Sequence, residues 1–261
     1  KIISCRMLYY IAAIVLLLGT YYLNLKVKLE GANALGGNHL KYFLIAAILI
    51  GIVILALTII SKKLYKKVEM HIAYIILALI LGGIYIFVIP LFAQSDEPAH
   101  FYRTYQVAKG EIISPVIDDA YATEIPQSFV DMVQYNSETK RREYKKYYDV
   151  KEMMQIELKP EETTIINTVG NYHGTSYLPQ ALGIKIGMIF QLRPYLTAML
   201  GRLTGLVITV LLLGWGIKKL PNHKLFATIV LLSPVVISYA ASYSADNVLL
   251  ACIFLMLSYV M

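Results

Sequence analysis

The stretch Gln94–Gly110, QSDEPAHFYRTYQVAKG, decides how the rest of this 261-residue chain is interpreted. It follows directly on an apolar segment, and it contains four ionisable side chains close together, Asp96, Glu97, His100 and Arg103. Ionisable groups at the edge of a membrane are costly to keep and commonly have a function. We therefore expect an active site to begin here, on the side of the membrane that faces away from the cytoplasm.

The composition indicates a polytopic membrane protein. Hydrophobic residues make up 57% of the chain and charged residues 16%, whereas soluble domains are about 45–50% apolar and roughly 25% charged. Residues 92–177 carry nine Lys or Arg and fourteen Asp or Glu. The rest of the chain carries fifteen Lys or Arg and only three Asp or Glu. The net charge of +7 therefore comes from basic residues beside apolar segments, where they act as topology signals and contact anionic lipid. It gives no reason to expect a nucleic-acid partner.

The apolar segments predict an all-α integral membrane protein with about six spans and its N-terminus inside. Two spans and a Lys-rich loop occupy residues 1–71, and a core occupies residues 72–261. Basic residues in short loops lie on the cytoplasmic side, so the span at 72–92 runs outward and places Asp96 outside. The last apolar run is cut short by the end of the sequence, so we expect a fragment of a longer protein.

The core divides into segments that alternate across the membrane. A large extracytoplasmic loop at 93–177 follows the third span, and further spans are expected at 195–217, 225–242 and 247–261. Residues 178–190 are apolar but shorter than the roughly 20 residues that a spanning helix needs, so we expect an interfacial or re-entrant helix there. Pro234 is expected to kink the span at 225–242.

The spacing of the first cluster allows three kinds of chemistry. On a helix, Asp96 and Glu97 share a face with His100, because residues three and four apart are neighbours. A carboxylate beside an imidazole can act as a general base, bind a divalent ion, or simply form an ion pair. The alternative is a helix start, with Pro98 in the first turn, Asp96 or Ser95 as the cap, and acids favoured by the dipole.

Two charged residues much later in the chain are further candidates. Asp246 is the only acid after Glu162 and stands in AASYSADN, between two apolar runs on the same predicted side as Asp96. The alternative is a structural role, with Ser244 or Asp246 as the N-cap that opens the last helix. Arg202 lies about two turns into the span at 195–217, where it can clamp phosphate through bidentate hydrogen bonds or extend to the outer headgroups.

The segment Asn171–Gln180, NYHGTSYLPQ, adds aromatic residues at the outer surface, namely Tyr172, His173 and Tyr177. Such groups suit sugar binding, and the alternative is an aromatic belt at the membrane interface. The sequence contains no Walker loop, GxGxxG, HExxH, nucleophile elbow or CxxC, which argues against an ATPase, a nucleotide-sugar Rossmann domain, a zinc protease and a serine hydrolase. A reaction outside the cytoplasm has no nucleotide pool, so its activated substrate would come from the bilayer.

The motifs SDEPAHFYRTYQVAKG, YLPQALGIKIG, GRL and SPVVISYAASYSADNVLL resemble, in this order, those of a family of bacterial polytopic membrane proteins of unknown function. That family is similar to the GT-C superfamily of glycosyltransferases. The resemblance covers about residues 84–261. It implies a GT-C-like helical bundle that transfers a sugar from a polyprenyl-phosphate carrier to a cell-envelope glycan or lipid acceptor, outside the bacterial cytoplasmic membrane.

The resemblance also implies roles for individual residues. Asp96, with Glu97 as its alternative, matches the acid that acts in the superfamily as catalytic base or as a metal or acceptor ligand. His100 would orient this base or complete a metal site for a divalent cation, Mg or Mn, with Asp96 and Glu97. Arg202 and Arg103 would stabilise the phosphate as charge develops. Substrate-binding candidates complete the site: His100, Arg103, Tyr172, His173, Tyr177, Arg202 and Asp246.

Other functions fit the same residues. A transporter or flippase of lipid-linked saccharides could use Asp96, His100 and Asp246 as a proton relay, but its ionisable groups are expected near the bilayer midplane. A polymerase of lipid-linked saccharides would share the large external loop. A non-catalytic scaffold of an envelope complex would tolerate the replacement of Asp96.

Overall fold

A computed structural model describes residues 69–94, 96–142 and 150–261. The two expected N-terminal spans and their Lys-rich loop lie outside the described residues. The described helices are α1 (Met70–Val88), α2 (Glu97–Lys109), α3 (Gln127–Arg142), α4 (Val150–Gln155), α5 (Leu178–Ile189), α6 (Pro194–Lys219), α7 (Lys224–Leu231), α8 (Pro234–Ala240) and α9 (Asp246–Val260). A short 3₁₀ helix, Gly174–Tyr177, precedes α5.

Two of these helices, α1 over Met70–Phe87 and α6 over Pro194–Lys219, are long and apolar enough to cross a membrane. The expected spans at 72–92 and 195–217 are confirmed as apolar helices. α1 has 19 residues and is about 28 Å long, close to the roughly 30 Å of a hydrocarbon core. α6 has 26 residues and is about 39 Å long. α9 is a shorter apolar helix.

α6 runs antiparallel to α1 and extends past its end. A Cβ atom on Gly82 of α1 would meet Leu206 of α6, and Arg202 of α6 donates a hydrogen bond to the carbonyl of Ile89, just after α1. Residues 194–201 of α6 therefore lie beyond the end of α1. Arg202 stands at the height where α1 stops.

The expected span at 225–242 is broken into α7 and α8. Pro234 is in the first turn of α8, and Ser233 before it has an extended backbone. Proline cannot continue the hydrogen-bond pattern of a helix, and it restricts the preceding residue to extended conformations. The predicted kink at Pro234 is confirmed. Apolar residues of α1, α6, α7, α8 and α9 share one core.

The segment after α2 corrects the all-α expectation, because it contains a three-stranded antiparallel sheet. The strands are β1 (Val116–Ile117), β2 (Ala120–Pro126) and β3 (Thr163–Asn167), in that order across the sheet. Asp118 and Asp119 link β1 to β2, both with positive φ, as two-residue type I′ hairpin turns require. β1 has only two residues, and the buried positions of β2 do not alternate, so the sequence did not reveal the sheet.

α5 is confirmed as a short helix, and it lies antiparallel alongside the first turns of α6. Gly183 of α5 sits where any Cβ atom would overlap the carbonyl of Leu200, and Gly187 faces Thr197. The two backbones can approach closely only because these positions are glycine. The middle of α5, at Gly183, is therefore held at the height of Arg202.

Candidate functional site

A buried ion pair joins two of the predicted site residues, Glu97 and Arg202. Their exposed fractions are 0% and 1%. Arg202 Nε donates to Glu97 Oε1 over 2.8 Å, and Nη2 donates to Oε2 over 2.7 Å. This is the bidentate geometry that gives an arginine–carboxylate pair its strength. Arg202 therefore neither extends to the headgroups nor presents a free phosphate clamp, which corrects both of its expected roles.

The remaining polar atoms of this pair are also occupied. Arg202 Nη1 donates to the carbonyl of Ile89 over 2.9 Å, and Nη2 donates to that of Pro90 over 3.0 Å. Glu97 Oε1 accepts the backbone N–H of Tyr243 over 3.2 Å. The pair therefore connects the end of α1, the start of α2, α6 and the turn before α9. In this arrangement neither side chain is free to contact a substrate.

Asp96, directly before Glu97, is exposed at the protein surface. It has a left-handed backbone with φ 60° and stands at the N-cap position of α2, but its side chain makes no capping hydrogen bond. Asp tolerates this conformation better than most residues. The carboxylate is exposed, and it makes no hydrogen bond or ion pair within the described part of the chain. Asp96 is thus an accessible acid on a fixed backbone.

His100, one turn into α2, lies at the centre of the candidate site. Its Nδ1 is 2.7 Å from the phenol oxygen of Tyr177. Burial lowers the pKa of His100, although the nearby charges of Asp246, Asp96 and Glu97 oppose this shift. The neutral imidazole is therefore favoured, and Asp246 and Asp96 are both close enough for their charges to act on it.

Asp246 is the first residue of α9. The N-cap is Ala245, which corrects the expectation that Ser244 or Asp246 takes that position. The backbone N–H of Asp246 nevertheless donates to Ser244 Oγ over 3.1 Å, so a side chain satisfies one N–H group at the helix start. The carboxylate of Asp246 is exposed. The fold thus brings Asp246 into the neighbourhood of His100, 146 positions earlier in the chain.

Arg103 lies one turn further along the same face of α2 as His100 and is buried, with an exposed fraction of 1%. Its guanidinium donates to Gln106 and to the carbonyls of Glu111 and Ile112 over 2.6 to 3.0 Å. It also lies over the ring of Tyr177, 6.0 Å from the centroid. In this arrangement Arg103 fixes the loop after α2 and is too buried to bind a phosphate.

The aromatic candidates fall into two groups. The ring of Tyr172 is exposed and meets the ring of His100 edge to face, with 5.4 Å between centroids. Tyr177 is fully buried, and burial raises the pKa of its phenol, which therefore keeps its proton. His173 is exposed, and its Nδ1 accepts the N–H of Thr175 at the start of the 3₁₀ helix. Tyr172 and Tyr177 flank His100, and His173 shapes the segment that carries them.

The metal-ligand set suggested by the resemblance is not assembled. Among the described residues, no group of three or more His, Cys, Asp and Glu side chains is arranged to hold a metal ion. Glu97 gives both oxygens to Arg202 and so cannot join Asp96 and His100. These three residues do not fit a Mg or Mn site.

Sequence reasoning missed two residues that shape this site, Gln180 and Tyr243. The side chain of Gln180 is fully buried and donates to the carbonyls of Ser242 and Ser244. Tyr243 lies inside the same turn, and its N–H binds Glu97. Gln180 could have been noticed as a polar residue within an otherwise apolar run, because a buried amide must find partners.

Apolar helices of spanning length, with polar residues collected where α1 stops, define a helical membrane protein. The chain belongs to the DUF2142 family, whose model is described as "Predicted membrane protein" and matches residues 79–261. The match covers more than half of the chain and includes every candidate site residue. Its environment is therefore a lipid bilayer. No curated protein and no solved structure matches the chain.

Proposed function

We propose that this protein is an integral-membrane glycosyltransferase of the GT-C type. It moves a sugar from a polyprenyl-phosphate carrier to an envelope glycan or lipid acceptor, on the outer side of the bacterial cytoplasmic membrane. The observation that carries the proposal is the exposed carboxylate of Asp96, held beside His100 where α1 ends. A lipid-anchored donor presents its phosphate and sugar at that height.

Asp96 is the general base. It accepts the proton of an acceptor hydroxyl as that oxygen attacks the anomeric carbon of the donor sugar. The bond between this carbon and the phosphate oxygen breaks, and the polyprenyl phosphate leaves with the electron pair. Asp96 suits this role because its backbone is fixed by the start of α2 while its carboxylate stays open to solvent.

His100 and the tyrosines orient the reactants. A neutral imidazole can hydrogen-bond to a sugar hydroxyl or to Asp96, and the contact with Tyr177 Oη fixes its ring. Tyr172 offers an exposed aromatic face next to it, and Asp246 adds a second acceptor for hydroxyl groups. In this proposal Arg202 and Arg103 hold the scaffold, because their donors are already bound by protein oxygens.

The proposal extends to the rest of the fold. It places about six spans in a GT-C-like bundle with the N-terminus inside, and it places the segment with the sheet outside. Supporting this orientation are the basic residues Lys218, Lys219 and Lys224 at the opposite end of α6 from the site, since such residues favour the cytoplasmic side.

The test is transfer by purified protein in lipid nanodiscs. A polyprenyl-phosphate sugar with a radiolabelled sugar is supplied together with a cell-envelope lipid and glycan fraction. We expect label to move to the acceptor fraction and free polyprenyl phosphate to accumulate in equal amount. Movement of intact donor across sealed vesicles without sugar transfer would instead support a transporter, and products of many added sugars would support a polymerase.

A further inference from the structure

The turn Ser242–Ser244, just before α9, is held from both sides. Gln180 Nε2 on α5 donates to the carbonyl of Ser242 over 3.1 Å and to that of Ser244 over 3.2 Å. Between them, the N–H of Tyr243 donates to Glu97 Oε1 over 3.2 Å. Three successive residues of the turn therefore have a backbone group fixed by a buried side chain from another helix.

The side chain of Tyr243 anchors the same turn to α6. Its phenol donates to the carbonyl of Ala198 over 2.6 Å. It passes next to Gly201, where any Cβ atom would overlap the phenol oxygen. The turn is thus tied to α2, α5 and α6 at once, which leaves its backbone little freedom.

We call the turn Ser242–Ser244, together with the side chains of Gln180 and Glu97 that bind it, the clamp. Both exposed acids of the candidate site are attached to this clamp. Asp96 directly precedes Glu97, and Asp246 follows Ser244 by two residues and hydrogen-bonds to its hydroxyl. A shift of the turn relative to α2 would therefore move Asp246 relative to Asp96.

The buried amide of Gln180 is not explained by stability alone. Its Oε1 is buried without a hydrogen-bond partner among the described residues. A half-satisfied polar group in an apolar helix costs free energy that an apolar side chain would not. What Gln180 supplies in return is a pair of donors aimed at two carbonyls of the turn.

We propose that Gln180 and Glu97 are positioning residues, which clamp the backbone of Ser242–Ser244 and hold Asp246 at a fixed distance from Asp96. Their link to catalysis rests on the proposed function, which places both acids in one active site. The positional claim itself does not depend on any activity. Neither residue touches the reacting atoms.

The experiment measures the distance between positions 96 and 246 by EPR spectroscopy in nanodiscs. Spin labels are placed on Asp96→Cys and Asp246→Cys after Cys5 and Cys252 have been replaced by serine. Gln180→Glu keeps the size of the side chain but replaces the NH2 group, which supplies both donors, with an oxygen that repels the two carbonyls. Gln155→Glu, an exposed position at the end of α4, is the matched control.

A second label pair reports on the bundle as a whole. Ile72 of α1 and Leu211 of α6 are exposed, and Ile72 lies near the opposite end of α1 from the turn. We expect Gln180→Glu to broaden the distribution for 96–246 and to leave that for 72–211 unchanged, with no effect of Gln155→Glu. An unchanged 96–246 distribution overturns the proposal. Broadening of both pairs also overturns it, because Gln180 would then act on general stability.

Transfer kinetics test the link between the clamp and catalysis. They are measured in protein that keeps both Asp96 and Asp246. A displacement of about 1 Å in an active site can cost about 100-fold in rate, so Gln180→Glu should lower kcat by that order and change KM for the polyprenyl-phosphate sugar much less. Equal kcat in Gln180→Glu and Gln155→Glu contradicts a positioning role. If the unmodified protein transfers no sugar, the proposed function fails, while the EPR result still decides the clamp.

Discussion

Asp96 and Glu97 are adjacent in the chain, yet their carboxylates lie in opposite environments. The left-handed backbone of Asp96 turns its side chain to the exterior, and the first turn of α2 carries Glu97 inward to Arg202. The sequence alone could not distinguish the two acids, since the partner of Glu97 is 105 positions away. Only the fold, which brings the start of α2 to Arg202 of α6, buries one acid in an ion pair and leaves the other exposed.

The buried ion pair of Glu97 and Arg202 predicts how substitutions change the free energy of unfolding. Arg202→Met should destabilise the protein by about 3–5 kcal/mol, because it leaves the carboxylate of Glu97 buried without its partner. The double variant Glu97→Met/Arg202→Met removes both charges and should be less destabilised than Arg202→Met alone. Unfolding free energies measured in detergent micelles check this. A double variant as unstable as the sum of the two single variants would contradict the account.

The lowered pKa of His100 predicts how the stability of the protein depends on pH. Its pKa in the folded protein is lowered by burial and so lies below the free value of about 6.5. The stability that depends on neutral His100 is therefore complete above about pH 6.5, and it is lost as the pH falls through the folded pKa. We expect the unfolding midpoint to fall over this range, and to fall less in His100→Gln. Identical pH profiles for the two proteins would refute this cause.

At the scale of elements, apolar length predicted α1, α5 and α6 well, and the kink at Pro234 followed from the chemistry of proline. The sheet was missed because β1 and β3 are short and their partners are distant or reached through a tight turn. The site was predicted in part. Helical spacing pointed to Asp96 and His100, but the approach of Asp246 and the clamp by Gln180 depend on tertiary packing.

Two glycine-to-alanine substitutions test the close contact of α5 with α6. Gly183→Ala should destabilise the protein by about 1–3 kcal/mol, because the new Cβ atom overlaps the backbone of Leu200 and forces the helices apart. Gly83→Ala, in α1, meets nothing within 4 Å and should be neutral or gain up to about 1 kcal/mol from helix propensity. Thermal unfolding in micelles compares them, and equal effects would contradict the close packing.

At the scale of the whole molecule, the site lies at one end of α1 and the basic residues after α6 lie at the other. Composition and basic residues predicted a membrane protein, and the family match agrees with this. The number of spans stays a prediction, because the first two lie outside the described residues. Distances between helices across the bilayer could not be predicted from apolar patterns alone.

The orientation predicts which positions a membrane-impermeant maleimide can reach. With Cys5 and Cys252 replaced by serine, a cysteine at Glu161, in the exposed segment before β3, should react in right-side-out vesicles. A cysteine at Asn222, between α6 and α7, should react only after permeabilisation. The opposite pattern would place the site on the cytoplasmic side and would remove the argument for a lipid-linked donor.

The central claim is that Asp96 is the base of a sugar transfer, and its replacement tests this most directly. In nanodiscs with a polyprenyl-phosphate sugar, Asp96→Asn should lower transfer by at least about 100-fold, which is within the usual contribution of a general base. Its unfolding midpoint should stay close to that of the unmodified protein, since the carboxylate of Asp96 is exposed and has no hydrogen-bond partner among the described residues. Asp131→Asn, at an exposed acid on α3, should transfer normally. Full transfer by Asp96→Asn would contradict the account.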